Sequence, residues 1–261
     1  MKKLLDLLFP LLVAIIVLAA WEITVRVKQI PPYLLPAPSA IAAALVQNWP
    51  SLAAAMLATI GVTLQGFAGA LIAAIAFAIL FSQSRLAERA LYPYAVILQV
   101  TPMVAIAPLI LIWVGFEHID RALALIAGGI AFFPILSNAV QGLKSADFDL
   151  IDLTRLYGAS RWQTLVKVRL PSALPALLTG MKVGGVIALI GEVTAEFAAG
   201  SGTASGLAWR IVESGNRLEI ATLFAALSLL ALTGILFFAA LSLLEWALLR
   251  RWHESAVSRE A

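Results

Sequence analysis

The chain has 261 residues, of which 62% are apolar and only 13% charged, with a net charge of +3. Soluble domains run at about 45–50% apolar and about 25% charged, so this composition, with a mean hydropathy of +0.96, points to lipid as the solvent and leaves almost no room for a soluble globular enzyme. There is no cysteine and there are only two histidines, which excludes disulfides, thiolate metal sites and cysteine nucleophiles.

A membrane-spanning helix needs about 20 apolar residues, because each residue rises about 1.5 Å and the hydrocarbon core is about 30 Å thick. Six stretches qualify and predict an all-α, polytopic membrane protein forming a single transmembrane domain over residues 1–261. The first span covers about 8–27, with Glu22 beside Arg26 near the outer headgroups. A cleaved signal with Lys2 and Lys3 at its charged end and Ala19-Ala20 at its cleavage site is the alternative, but Leu4 to Ala20 is long for one. Pro31, Pro32, Pro36 and Pro38 then predict an extended connector over 29–38, and Ser39 as N-cap predicts a short helix over 39–48 that Pro50 ends.

The second span follows at about 57–81 and the third at about 90–114, where Pro93, Pro102 and Pro108 predict kinks whose freed carbonyls need neighbours or water. The fourth, about 122–142, holds Gly128-Gly129 for close helix approach, with Asn138 and Gln141 as interhelical hydrogen-bonding residues. The fifth, about 174–197, carries Gly184-Gly185, Glu192, Glu196, and Lys182 placed to snorkel from its start. Gly200 to Gly206 lacks the Gly-Lys-Ser/Thr ending of a P-loop and reads either as a flexible loop feeding a short helix over 207–212 that meets an outer partner or, equally, as a plain linker. The sixth span, about 220–246, ends with Glu245 beside Arg250. Trp21, Trp49, Trp113, Trp209, Trp246 and Trp252 fall near the predicted interfaces, as an aromatic belt would.

Cations orient the spans. Lys2, Lys3, Arg85, Arg89, Lys144, Arg155, Arg161, Lys167, Arg169, Arg250, Arg251 and Arg259 occupy alternate connections, against Arg26, Lys28, Arg121, Arg210 and Arg217 in the others. Twelve against five predicts that both termini face the cytoplasm. The isoelectric point near 9.4 thus reflects membrane topology rather than nucleic-acid binding.

The connection over 143–173 is far longer than a turn requires, and long ordered loops usually carry function. Phe148, Ile151 and Leu156 interspersed with acids and Arg155 predict an amphipathic helix. Gly158 interrupts it, and helical spacing resumes through Trp162, Leu165, Val166 and Leu170 until Pro171. The expected shape is helix, sharp bend, helix.

The run Asp152-Leu153-Thr154-Arg155-Leu156-Tyr157-Gly158, with Val168-Arg169-Leu170-Pro171 after it, resembles the "EAA" loop of permease subunits of bacterial ABC importers. Aspartate stands at 152 for the usual glutamate, and Leu153 and Thr154 stand for two alanines. Leu35-Pro36-Ala37-Pro38-Ser39, Thr101 to Leu109, Trp113-Val114-Gly115-Phe116 and Phe132-Phe133-Pro134 are similar to the nitrate, sulfonate and taurine branch, which includes relatives that carry thiamine-precursor pyrimidines. The resemblance implies a type I importer permease with six helices and no cofactor of its own. Its partners would be a second permease subunit, most simply a second copy, a cytoplasmic ATPase dimer and a periplasmic solute-binding protein, all at a bacterial inner membrane. Residues from about Ala159 to Thr164, thus Ala159, Ser160, Arg161 and Trp162, would form the coupling helix, with Asp152 and Gly158 holding it and Pro171 closing the motif.

Charges inside a bilayer normally face a cavity or a partner. Glu192 and Glu196, one turn apart, are expected to line the pathway with Gln99, Thr101 and Pro102, or else to lie hydrated at the outer mouth. A glutamate at the position of Glu196 is usual in the family, whereas Glu192 departs from it. With no intramembrane arginine, a neutral or weakly basic heterocycle such as a pyrimidine suits this lining better than a sulfonate or nitrate. No Walker lysine, His-Glu-x-x-His or Gly-x-Ser-x-Gly pattern occurs, so ATP chemistry is expected in a partner. A carrier or channel working alone would use the two glutamates as a relay but leave the bent loop unexplained. An intramembrane enzyme would need paired groups, and His118 and His253 are predicted far apart.

Overall fold

A computed structural model describes residues 2–200 and 205–250. Residues 201–204, Arg251, Trp252, His253 and Arg259, and the side chains of Lys2 and Lys3, lie outside what is described. The described chain is helical throughout its spans: α1 (Lys2–Val27), α2 (Pro38–Gln47), α3 (Trp49–Gln83), α4 (Arg85–Val100), α5 (Met103–Val114), α6 (Ile119–Lys144), α7 (Phe148–Leu156), α8 (Arg161–Thr164), α9 (Leu170–Ala199), α10 (Leu207–Asn216) and α11 (Ile220–Leu249). Five helical stretches are long and apolar enough to cross a membrane, and α4 with α5 makes a sixth if that bent pair is one span.

Contacts divide the chain into two compact units, residues 1–58 with 205–231 and residues 59–204 with 232–261. The first unit buries Leu52, Ala55, Leu207, Ala225, Ala226 and Leu229 against one another. Its polar staple is Glu22 on α1, whose carboxylate accepts from Arg26 Nε at 2.5 Å, from the Ser39 backbone N–H at 3.0 Å and from Ser39 Oγ at 2.8 Å. Ser39 therefore does not cap α2, which starts one residue earlier at Pro38 with its N-cap side chain unused. A carboxylate seventeen residues away takes the serine instead. Trp21 packs edge-on against Phe224 at 6.0 Å with its Nε1 buried, so it is a packing residue, not a member of a lipid belt. Pro50 opens α3 rather than ending α2, since proline in a first turn removes no intrahelical bond.

The second unit is built on α6 and α9. Its core gathers Phe67, Ala74, Phe81, Ile135, Leu136 and Leu165, among others. A Cβ on Gly66 would lie 2.6 Å from the Ala124 carbonyl oxygen, and one on Gly128 2.8 Å from the Gly66 carbonyl oxygen, so α3 crosses α6 with backbones nearly touching. Gly129 seats Met103, Gly184 faces Ile135, and Gly185 faces Phe237 and Leu241. The glycine pairs thus do what their spacing implied. Asn138 does not: its amide donates to the Pro134 carbonyl of its own helix at 2.8 Å, while Gln141 is exposed.

Two charges also differ from expectation. Lys182 does not snorkel, because its ammonium meets Glu245 at 2.5 Å with the side chains 15% and 16% exposed. Glu245 accordingly answers Lys182, while Arg250 lies over the Trp246 ring at 4.7 Å.

Candidate functional site

The predicted bend is present and internally bonded. Asp147 caps α7 by accepting from the Asp149 N–H at 2.9 Å. At the far end Gly158 adopts φ +71, a left-handed turn that costs other residues about 1–2 kcal/mol. The amide of Gly158 donates to the Arg155 carbonyl and that of Ala159 to the Thr154 carbonyl, closing the helix end. Ser160 then starts α8 with a reciprocal cap: its Oγ accepts from the Gln163 N–H at 3.2 Å while its own N–H donates to Gln163 Oε1 at 2.8 Å. The Ser-x-x-Gln spacing was readable in the sequence as a capping box, but Gly158 alone carried that reading. Thr154 Oγ1 lies 3.1 Å from Thr164 Oγ1, bracing the two arms.

The second arm does not stop at Pro171. A π-helical turn over Leu165–Arg169 joins α8 to α9, so helix runs unbroken from Arg161 to Ala199. The wider turn re-registers the ladder where the Pro171 nitrogen has no hydrogen to donate. The elbow has two distinct faces. Ile151, Thr164 and Leu165 are buried, whereas Leu156, Tyr157 and Trp162 are 86%, 83% and 62% exposed. Asp152 pairs with Arg155 on its own helix at 2.8 Å and stays open to solvent; among the described residues it forms no hydrogen bond or ion pair with residues 159–164.

The third span is a corner. α4 and α5 meet at 100°, broken at Thr101-Pro102, with Thr101 Oγ1 donating to the Ile97 carbonyl at 2.7 Å. Pro93 and Pro108 sit inside their helices. Gln99 is exposed just before the corner and Thr101 half-buried at it. Measured along α6, Gly66 of α3, Met103 of α5 and Gly191 of α9 all meet it within residues 124–130, near its middle. The corner and Glu192 therefore share one depth in the bundle. Glu192 and Glu196 are each 1% exposed, and Glu192 Oε2 has no hydrogen-bond partner among the described residues. Glu192 lies within electrostatic range of Glu196 and of Asp120 at the start of α6. In this conformation the glutamates are sealed and Gln99 is open, so the five residues expected to line a pathway do not share one surface.

Taken with these features, the whole chain falls into a known class. Residues 65–252 match the family described as binding-protein-dependent transport system inner membrane component, and the protein belongs to it. It is an ABC importer permease of the branch that contains the sulfonate, taurine and nitrate permeases, a multi-pass inner-membrane transport subunit. It is 35% identical to the riboflavin transport system permease protein RibX of Chloroflexus aurantiacus, over 92% of this chain and 88% of that one. It is 32% identical to the formylaminopyrimidine transport permease protein ThiX of Halalkalibacterium halodurans, over 95% and 98% respectively. A putative aliphatic sulfonates permease, SsuC of Bacillus subtilis, is 32% identical over 68% of this chain and 62% of its own.

Proposed function

We propose that residues 1–261 act as one permease domain, paired with a second copy, that passes a small solute from a periplasmic binding protein to the cytoplasm when an ATPase dimer pushes on the elbow. Both termini face the cytoplasm in this reading. The observation that carries it is the elbow itself: an exposed apolar face of Leu156, Tyr157 and Trp162 on a turn locked by its own hydrogen bonds. Exposed apolar surface on an ordered polar-side element marks a docking site. Asp152, Gly158, Ala159, Ser160, Arg161 and Trp162 form the docked surface, and Pro171 lies where the push enters the membrane. Because helix continues from Arg161 to Ala199, a force on Trp162 moves the rod that bears Glu192 and Glu196.

Gln99, Thr101 and Pro102 line the pathway at the corner. Glu192 and Glu196 join the lining when α9 shifts in the cycle, Glu192 with the carboxylate oxygen that has no partner at rest. For the solute, a neutral or weakly basic heterocycle is favoured over a small anion. The one lysine inside the bundle is neutralised by Glu245, leaving an anion no free cation there among the described residues. The relatives named for riboflavin and formylaminopyrimidine also match over 88% and 98% of their length, those named for sulfonate, taurine and nitrate over 53–65%.

The test is ATP-driven uptake in vesicles containing the complete complex. Proline cannot adopt φ +71, so Gly158→Pro should leave the chain inserted yet reduce uptake to background. Undiminished uptake by an inserted Gly158→Pro complex rejects the role of the elbow. Competition between a pyrimidine and an alkyl sulfonate in wild-type vesicles decides the solute class, with the pyrimidine expected to compete.

A further inference from the structure

Beside the docking face, and sharing Arg161 with it, lies a cavity of about 680 Å³ whose wall includes Ser84, Arg85, Arg155 and Arg169 over the buried Ile151 and Thr164. A second cavity of about 690 Å³ adjoins it, sharing Arg85 and Arg169 and adding Arg89 and Lys144. Among the described residues no carboxylate lines the first cavity. The second contains Glu88, which is already paired with Lys144. Asp152 answers Arg155, whereas Arg85, Arg89 and Arg161 form no ion pair among the described residues. Arg169 donates through Nη1 to the Ser82 carbonyl at 3.1 Å, and its buried Nε has no acceptor among the described residues. Several guanidinium groups converging on one concave space repel one another unless an anion sits among them. Their forked donors match tetrahedral oxyanions.

The depth of the cavities says where such an anion comes from. Ser82 and Gln83 end the apolar run of α3, and Leu143 and Lys144 end that of α6, which is the level of the lipid headgroups. Basic pockets between spanning helices at that level take phosphate groups of anionic lipids.

We propose that this arginine-lined cavity is a phosphate-binding site, filled by the headgroup phosphate of an anionic phospholipid, which braces the turn between α3 and α4 against the elbow. Its effect on transport rests on the elbow being the ATPase dock; occupancy does not. The complete complex is purified from nanodiscs of phosphatidylcholine with phosphatidylglycerol, and retained lipid is counted by native mass spectrometry. The wild type should keep phosphatidylglycerol, while Arg85→Gln and Arg161→Gln should each weaken retention about tenfold, the loss of one charge-assisted contact. Arg121→Gln, remote from the cavity, should retain lipid as the wild type does. If instead inorganic phosphate alone raises the thermal stability of the wild type and not of Arg85→Gln, the phosphate site stands and its source is the free anion. Equal lipid retention and equal phosphate response in wild type and both cavity variants overturn the proposal, as an ATPase carboxylate filling the cavity would produce. Lipid retention with the predicted losses but no effect of anionic lipid on uptake would leave the site intact and count against the brace.

Discussion

Lys182 and Glu245 form an ion pair at 2.5 Å inside the bundle, sixty-three residues apart in sequence. Removing one partner leaves the other charge with little water and no counter-ion, whereas removing both leaves an apolar contact. Lys182→Met should therefore lower the unfolding free energy by roughly 3 kcal/mol, and Lys182→Met with Glu245→Leu should return to within roughly 1 kcal/mol of the wild type. Denaturant unfolding in detergent micelles measures both. A harmless single substitution would mean that the lysine reaches the headgroups after all. Glu22 obeys the same logic in the other unit, where Ser39 and Arg26 share its two oxygens. Neither pairing is readable from the sequence, because each depends on which helices approach and not on local spacing.

At the scale of elements, the spans were legible because charge-free length is a local property, and 122–142 and 220–246 recur within α6 and α11 with a few residues' extension. The elbow was legible for the same reason: a lone glycine between two periodic stretches has one economical conformation, and Gly158 adopts it. The corner was not. Pro93, Pro102 and Pro108 carry the same local signal, and only Pro102 breaks the helix, where Met103 must seat on Gly129 of α6. Pro171 misled similarly, since a π turn absorbed it.

Packing between elements makes its own prediction. A Cβ at Gly66 would meet α6 backbone atoms at 2.6 and 3.0 Å, which cannot rotate away, whereas Gly69, one turn on, has nothing within 4 Å. Gly66→Ala should destabilise by about 1–3 kcal/mol, and Gly69→Ala should be neutral or stabilise by up to about 1 kcal/mol. Thermal unfolding of the two variants side by side gives the difference, and equal behaviour would show that α3 and α6 are not in backbone contact.

At the scale of the whole molecule, the elbow presents the apolar face and a continuous helix connects it to the depth of the corner. The sequence motif implied the first and not the second: periodicity suggested a helix ending at Pro171, while the helix that starts at Arg161 runs through it to Ala199, 39 residues in all. Glu192 and Glu196 lie sealed on that rod, so the proposed lining forms only if the rod moves. Nothing in the spacing of two glutamates reveals whether they face a pathway or a packed interior, because burial is set by the helices around them.

The chain has no cysteine, which makes a single introduced thiol an unambiguous reporter. Trp162→Cys in the complete complex, treated with a short thiol-to-amine cross-linker, tests the central claim directly. The account predicts a cross-link from residue 162 to the ATPase whose yield changes between the nucleotide-free and ATP-bound states. No cross-link to the ATPase in either state, in a complex that still transports, would contradict it.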